Sequence, residues 1–222
     1  MRWRYGVAVL ALAAWALAGC AGKPATPVAT PTAPLDLSEA LETGRALLEA
    51  KETQRAIAVL EEAAKAEPPS AEAFFLLGNA YAQAGRLEEA ENAYRRALEL
   101  RPDDADALSN LGVVLYQMHR LSEAVEQFVH AARLAPDDAE IRYNLGSALY
   151  ALGRVEEAIA AFEAARERDP HLPQVYLGLG YAHRDRGEVE KAIQHFHKFL
   201  ELSDDEGWKQ QVRTELQQLE EK

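Results

Sequence analysis

The chain has 222 residues, with 24 Lys and Arg against 36 Asp and Glu, and so a formal net charge of −12. Proteins bind phosphate backbones through basic surfaces, so this charge argues against a nucleic-acid partner and favours a partner with a basic surface. Cys20 is the only cysteine, which excludes an internal disulfide.

Residues 1–19 have the composition of an export signal. Arg2 and Arg4 give a positive start, and residues 6–18 form an uncharged run of Gly, Ala, Val, Leu and one Trp. This run is shorter than the ~20 apolar residues that cross a bilayer. We therefore predict a secretory signal peptide and not a membrane-spanning helix.

Residues 17–20, Leu-Ala-Gly-Cys, resemble the lipobox at which bacterial lipoproteins are lipidated on Cys and cleaved before it. The resemblance implies a lipid anchor on Cys20, and several acyl chains on one residue suffice for stable attachment. An ordinary signal peptide with an unrelated Cys is the alternative. Ala21 stands where Asp favours inner-membrane retention in some bacteria. The resemblance thus implies an exported cell-envelope lipoprotein, in the outer membrane facing the periplasm if the organism has one.

Residues 20–36 are predicted to be the lipidated Cys and a linker. Four prolines lie among Ala, Thr and Val, and Lys23 is the only charge between residues 21 and 34. This composition favours extended polyproline-like conformations of ~3.1 Å per residue, so the linker could span up to ~40 Å. A Pro-rich docking motif is the alternative, but no arginine-flanked Pro-x-x-Pro pattern supports it.

A 34-residue period begins at Leu37 and gives five frames without insertion: 37–70, 71–104, 105–138, 139–172 and 173–206. Repeat position 8 is Gly44, Gly78, Gly112, Gly146 and Gly180, and repeat position 20 is Ala56, Ala90, Ala124, Ala158 and Ala192. Repeat position 24 holds Leu60, Tyr94, Phe128, Phe162 and Phe196, and repeat position 27 holds Ala63, Ala97, Ala131, Ala165 and then Phe199. Repeat position 32 holds Pro68, Pro102, Pro136 and Pro170, with Asp204 in the last frame.

These positions predict two helices per frame, packed against each other. Gly and Ala at repeat positions 8 and 20 allow a close approach of the two helices, and we expect the aromatics at repeat position 24 to fill the gap between neighbouring units. Pro at repeat position 32 ends the second helix, and the acidic pairs after it, at residues 103–104 and 137–138, suit the start of the next helix. Gly85, Gly153 and Gly187 are expected in the turns within the hairpins, where a left-handed residue is useful.

The second frame is similar, position by position, to the tetratricopeptide repeat (TPR) signature. The matching residues are Phe74, Leu77, Gly78, Tyr81, Ala90, Tyr94, Ala97 and Pro102. The resemblance implies an all-α, right-handed superhelical solenoid of five hairpins over residues 37–206, in which the first helices line a concave groove. Ala40 and Thr43 in the first frame depart from the signature, as does Arg142 in the fourth, where a large apolar residue is usual.

Residues 207–222 are predicted to belong to a C-terminal capping helix that starts near Asp204 or Asp205. Apolar residues recur there at helical spacing, with charged residues on the other side. We expect the helix to cover the open apolar edge of the fifth hairpin.

Function must be inferred from the surface, because one fold serves many functions. The repeat positions expected to face the groove hold Arg45, Phe75, Asn79, Ser109, Asn110, Tyr116, Tyr143, Asn144, Tyr150, Tyr181 and Arg184. Asn amides can donate to and accept from a peptide backbone, and Tyr offers broad contact area with a polar tip, so the set suits an extended peptide. TPR proteins use Asn at such positions to clamp ligand backbone. Phe75 stands where one version of that clamp has Lys, which puts a carboxylate-ended ligand in doubt. The alternative is that these side chains only stabilise neighbouring helices.

No constellation in the sequence favours catalysis, a cofactor or a metal. Residues 178–180, Gly-Leu-Gly, follow no predicted strand, as a dinucleotide-binding motif requires. Three histidines fall in the fifth frame, but His195 and His197 are two apart and do not share a helix face. His183 occupies a position usually filled by a packed residue, so we interpret it as a core or boundary histidine.

Three functions are compatible with these observations. The first is a membrane-anchored, non-enzymatic scaffold that binds a protein or peptide in the TPR groove during cell-envelope assembly. The second rests on the order of lipobox, short spacer and tandem repeats, which resembles the pilotin-like lipoproteins that help assemble type IV pilus secretins. The third is an enzyme of unrecognised type. The sequence leaves the oligomeric state open.

Overall fold

A computed structural model describes residues 36–221, which contain eleven helices and no strand. The predicted signal peptide, Cys20 and all but the last residue of the predicted linker lie outside the described residues. The helices are α1 (Leu37–Glu49), α2 (Thr53–Ala63), α3 (Ala71–Gln83), α4 (Leu87–Leu100), α5 (Ala105–Gln117), α6 (Leu121–Leu134), α7 (Ala139–Ala151), α8 (Val155–Arg168), α9 (Pro173–Asp185), α10 (Val189–Leu202) and α11 (Glu206–Glu220). This all-α repeat fold confirms the fold class expected from the 34-residue period.

The described residues form two compact units: an N-terminal unit of residues 36–114 and a C-terminal unit of residues 115–221, with the boundary inside α5. In the N-terminal unit, α1 packs against α2, α2 against α3, and α3 against α4. In the C-terminal unit, the packed pairs are α6 with α7, α7 with α8, α8 with α9, α9 with α10, and α10 with α11. Among the described residues, no helix is both long and apolar enough to span a membrane.

The first helices of the first four repeats begin at side-chain caps. Asp104 Oδ1 accepts a hydrogen bond from Ala107 N at 3.0 Å, and Asp138 Oδ1 accepts from the backbone N–H groups of Glu140 and Ile141 at 2.9 and 3.1 Å. The second Asp of each predicted acidic pair is therefore a cap, because it satisfies N–H groups that have no partner within the helix. The first Asp of the later pair, Asp137, instead forms an ion pair with Arg168.

The turn within each hairpin contains a residue with a left-handed backbone. Gly85, Gly153 and Gly187 have φ values of 73°, 75° and 77°, as their place in the sequence predicts. Lys51 and His119 occupy the same repeat position with φ values of 58° and 59°. The turn geometry is therefore kept even where the residue is not glycine.

In four of the hairpins the core depends on Gly at repeat position 8, which is Gly44, Gly78, Gly146 or Gly180. A Cβ atom on Gly78 would lie 2.6 Å from Tyr94 Cε1, and one on Gly146 would lie 2.6 Å from Phe162 Cδ1. The residues at repeat position 24 therefore pack on the glycine of their own hairpin, a contact in addition to the expected filling of the gap between units. Phe162 also reaches the next hairpin, where a Cβ on Gly178 would lie 2.7 Å from its Cζ.

Arg142, which departs from the TPR signature, closes the loop before α7. Its Nε and Nη2 atoms donate to the carbonyl of Pro136 at 3.0 and 2.6 Å. One repeat later, the hydroxyl of Tyr176 donates to the carbonyl of Pro170 at 2.8 Å. Both donors occupy repeat position 4 and both carbonyls occupy repeat position 32 of the preceding frame. A long polar side chain at this position therefore fastens one hairpin to the end of the previous one.

The last helix packs against the fifth hairpin. Asp205 caps α11 by accepting from Trp208 N at 3.0 Å. Val212, Leu216 and Leu219 form its buried side, and Val212 is fully buried.

Candidate functional site

The N-terminal unit presents two asparagines side by side. Asn79 on α3 and Asn110 on α5 are both partly buried. Asn79 Oδ1 accepts hydrogen bonds from the Tyr94 hydroxyl at 2.7 Å and from Asn110 Nδ2 at 2.9 Å. These bonds orient both amides and leave the Asn79 NH₂ group and the Asn110 carbonyl oxygen for a ligand. A donor and an acceptor held in this way match the two hydrogen-bonding groups of a peptide unit.

The other predicted residues of this unit have different surroundings. Phe75 is partly buried and its ring centroid lies 6.1 Å from that of Tyr94. Arg45 is exposed and forms an ion pair with Glu72. Phe75 thus supports the residue that orients Asn79, whereas the Arg45 guanidinium lies at the edge of the unit with its charge already balanced.

The C-terminal unit presents Asn144 on α7. Asn144 occupies repeat position 6, as Asn110 does one repeat earlier, and it is partly buried. Within the part of the chain that the structure describes, its amide makes no hydrogen bond. Tyr116 lies at the end of α5 and is about half-buried, and this burial raises the pKa of its phenol. Asn144 is thus held on α7 at the repeat position of Asn110, and its side-chain amide remains available to a ligand.

Tyr143 does not present its ring to a ligand, contrary to the sequence-based expectation. It is only 4 % exposed, and its ring centroid lies 5.8 Å from that of Phe162. Burial raises the pKa of Tyr143 to about 12. The apolar neighbour at repeat position 24 explains the difference, because it draws the ring into the hairpin core.

Tyr150 directs its hydroxyl to another side chain. The hydroxyl donates to Asp185 Oδ2 at 2.5 Å, and burial together with this hydrogen bond raises the pKa of the phenol. Tyr150 lies on α7 and Asp185 at the end of α9. The contact therefore ties neighbouring first helices, and the hydroxyl of Tyr150 is already engaged.

Tyr181 and Arg184 are covered by the final helix, which also differs from the expectation. Tyr181 is 7 % exposed, its ring meets Phe196 edge-on at 5.2 Å, and its hydroxyl accepts from Gln211 Nε2 at 3.3 Å. Arg184 stacks over Tyr181 at 4.8 Å and forms an ion pair with Glu215 at 3.0 Å. Because α11 supplies both Gln211 and Glu215, this part of the expected groove is closed by the chain itself.

The residues that sequence reasoning missed are the partners of the groove side chains. Tyr94 orients Asn79, and Asp185 holds Tyr150. Tyr94 is visible in the sequence only as a core aromatic. Its hydroxyl could have suggested a polar partner, because a buried tyrosine usually finds one.

A separate cluster joins α8, α9 and α10. One ligand atom from each of Glu163, His183 and His195 lies within 4.8 Å of the other two. His183 is buried, and its Nδ1 lies 2.7 Å from Glu188 Oε2. Burial, with the neighbouring positive charges, lowers the pKa of His195 to about 4.

His197 takes no part in the cluster. It is exposed on α10, and its Nε2 lies 3.8 Å from Glu220 Oε1. The structure thus brings together two of the three histidines in the fifth frame, and adds a carboxylate from the preceding hairpin that their spacing did not reveal.

Comparison with known proteins identifies the repeat. A protein-family model described as "TPR repeat" matches residues 78–119, and one described as "Tetratricopeptide repeat" matches residues 109–173 and 143–206. Together they extend from residue 78 to 206, which is more than half of the chain. A search of curated proteins finds no match.

Solved structures of similar fold include two forms of MamA and one of YrrB. A structure of MamA MSR-1 is 28 % identical, covers 75 % of this chain and 95 % of that chain, and has a TM-score of 0.65. MamA from Desulfovibrio magneticus RS-1, from residue 41 to the end, is 26 % identical and covers 78 % of this chain and 100 % of that chain, with a TM-score of 0.70. YrrB, described as a TPR protein with an unusual peptide-binding site, is 24 % identical and covers 81 % and 92 %, with a TM-score of 0.67. At that identity the likeness to YrrB shows the fold alone.

Proposed function

The chain belongs to the tetratricopeptide repeat family, and we propose that it is a membrane-anchored scaffold that binds a protein or an extended peptide. Interaction with other proteins is the role of TPR-type scaffolds, and we place this protein's role in binding and not in catalysis. The proposal assigns the contact with the partner to Asn79 and Asn110 in the N-terminal unit and to Asn144 in the C-terminal unit.

The state of the three amides is the observation that carries the proposal. Asn79 and Asn110 are oriented by hydrogen bonds that leave one donor group and one acceptor available, and Asn144 makes no hydrogen bond within the described residues. By contrast, Tyr150 and Arg184 are already engaged by other side chains. Partly buried amides without full hydrogen bonding are costly unless a partner or water satisfies them, so they mark where a peptide backbone would be stabilised.

The charge of the chain supports a particular kind of partner. The net charge of −12 favours association with basic segments and repels nucleic acid. We therefore propose a protein or peptide with a net positive contact surface, bound chiefly through its backbone.

Site-specific crosslinking in intact cells identifies the partner. A photo-crosslinking residue at Gln117, which is exposed at the end of α5, should capture the partner, whereas the same residue at the exposed Asn92 on α4 should not. Capture of a secretin subunit would narrow the proposal to pilus assembly. Equal capture at both positions would reject the proposed faces.

The affinity for the captured partner then tests the amides. Asn110→Ala and Asn144→Ala each remove hydrogen bonds worth about 1–2 kcal/mol, so the double variant should bind at least about 30-fold more weakly with unchanged helicity. Asn92→Ala is the matched control and should bind like the wild type. Unchanged affinity of the double variant would exclude the amides as the binding site.

The membrane anchor is the second part of the proposal. The Leu-Ala-Gly-Cys motif and the single cysteine support lipidation of Cys20. Wild-type protein should incorporate labelled palmitate and sediment with membranes, whereas Cys20→Ser should lose the label and be released. Membrane association without label, or a soluble wild-type product, would rule out the anchor. The crosslinking experiment tests the binding faces separately.

A further inference from the structure

The cluster of Glu163, His183 and His195 shares no residue with the proposed peptide-binding faces. Its members come from three helices: Glu163 from α8 in the fourth hairpin, and the two histidines from α9 and α10 in the fifth. Two imidazole nitrogens and one carboxylate oxygen lie within 4.8 Å of one another. This set of donors is the one that zinc and related ions prefer.

The separation of the two rings fits a shared ion. The ring centroids of His183 and His195 lie 5.2 Å apart, and the rings are stacked with their planes 8° apart. Two imidazoles bound tetrahedrally to one zinc ion at ~2.0–2.1 Å would have centroids about 5 Å apart. Ligand atoms around such an ion lie about 3.3 Å apart. Side-chain rotations that turn the two rings out of their stacked arrangement would therefore aim both nitrogens at one ion and bring the three atoms to bonding distance.

A carboxylate outside the cluster holds His183 in place. The Nδ1 atom of His183 lies 2.7 Å from Glu188 Oε2, so its other nitrogen is left for an ion. Glu188 is itself held by Lys191 and Arg186 at 3.1 Å each. A carboxylate that binds the far nitrogen of a histidine ligand fixes its tautomer and ring orientation in many metal sites.

Glu163 is poorly satisfied by its protein neighbours. Its Oε2 atom is buried and accepts no hydrogen bond of acceptable geometry, although Arg166 Nη2 lies 2.5 Å away as a counter-charge. A buried carboxylate oxygen in this state needs a better partner than a misaligned guanidinium. Arg166 is then the cation with which a metal ion would compete.

We propose that Glu163, His183 and His195 bind one Zn²⁺ ion, which ties α8 of the fourth hairpin to α9 and α10 of the fifth. Water completes the coordination shell, as is usual where a protein supplies three ligands. The ion stabilises the C-terminal unit, because it binds the folded arrangement and not the unfolded chain.

Titration of the chelator-treated full chain with Zn²⁺ or Co²⁺ alone tests the site. We expect one ion per chain, visible absorption from tetrahedral Co²⁺, and a rise in the thermal unfolding midpoint with Zn²⁺. His183→Gln and His195→Gln should each weaken binding at least about 100-fold, and Glu188→Gln, which acts through His183, about 10- to 100-fold. His197→Gln is the matched control on the same helix and should bind like the wild type.

A gain of affinity separates the site from simple misfolding. Arg166→Gln removes the competing cation and should tighten Zn²⁺ binding, a result that an unfolded variant could not give. The proposal fails if wild type and His195→Gln bind Zn²⁺ equally, or if Arg166→Gln and His197→Gln weaken binding as much as His183→Gln does.

Discussion

The left-handed turn residue is the clearest case in which one backbone position sets the choice of amino acid. Three hairpins have Gly there, while Lys51 and His119 adopt φ values near 60° in the other two. A side chain with a Cβ atom pays about 1–2 kcal/mol for this conformation, and glycine does not. His119 is exposed, so its side chain offers little packing in compensation.

We predict that His119→Gly stabilises the protein by about 0.5–1 kcal/mol, because relief of backbone strain exceeds the added freedom of the unfolded chain. Urea denaturation followed by circular dichroism measures the change. The reverse substitution, Gly153→Ala, places a Cβ at φ 75° and should destabilise by about 1 kcal/mol. Equal midpoints for all three proteins would show that the turn stores no strain.

Residue identity alone could not predict which groove side chains remain accessible. Asn110 and Asn144 stay partly exposed, as their shared repeat position suggests. Tyr143 and Tyr181 lie at expected groove positions too, yet Phe162 and Phe196 draw their rings into the core. The repeat position fixes the direction of the Cα–Cβ bond, whereas the contacts of the side chain depend on the neighbouring side chains.

At the level of the helix, the sequence specifies where a helix starts better than it specifies which side chains the helix packs against. Ser70, Asp104 and Asp138 all occupy the last position of a frame and all cap the following helix with a side-chain oxygen. The corresponding residue before α9 is Leu172, which makes no side-chain cap, and Pro173 begins that helix instead. Both solutions suit N–H groups that lack helical partners.

We predict that Asp138→Ala destabilises the protein by about 1 kcal/mol through loss of the two hydrogen bonds that cap α7. Asp137→Ala is the adjacent control. Asp137 only forms an ion pair with Arg168 and its side chain is 88 % exposed, so its removal should cost less than about 0.5 kcal/mol. Thermal denaturation of both variants measures the difference, and equal losses would contradict the assignment of the cap.

The helix pattern could be predicted from spacing, because Gly at repeat position 8, Ala at repeat position 20 and Pro at repeat position 32 each have a local physical role. The hydrogen bonds from Arg142 and Tyr176 to proline carbonyls could not be predicted in this way. Those contacts join one frame to the next and depend on the exact path of the loop between them.

For the whole molecule, buried phenols imply sensitivity to alkaline conditions. Burial raises the pKa of Tyr143 to about 12, and burial with a hydrogen bond to Glu61 raises the pKa of Tyr81 to about 12. The ordinary pKa of a tyrosine phenol is 10.0, so above pH 10 the unfolded chain releases protons that the folded chain keeps. Stability from these groups is complete below pH 10 and is lost progressively as the pH rises from 10 to 12.

We predict that Tyr143→Phe reduces this alkaline loss by roughly 1.4 kcal/mol between pH 8 and pH 11, because the ring still packs on Phe162 while the titrating hydroxyl is gone. Urea midpoints at pH 8 and pH 11 measure the effect for wild type and variant. The variant should lose less stability between the two pH values. An identical loss in both proteins would mean that Tyr143 does not titrate on unfolding.

The period was sufficient to predict an all-α repeat fold, since a single spacing explains helices, turns and core together. The Glu163, His183 and His195 cluster escaped prediction because its carboxylate comes from a different hairpin from its histidines. Spacing within a frame cannot reveal a site that exists only where frames meet.

The contacts of Gln211 and Glu215 with α9 set a limit on growth of the array. A sixth hairpin appended after residue 206 would need the surface that α11 already occupies, so it could dock only after that helix was stripped away. Duplicating an internal module such as residues 139–172 would lengthen the protein without disturbing this terminus. Repeats should therefore be gained or lost inside the array, because α11 terminates it.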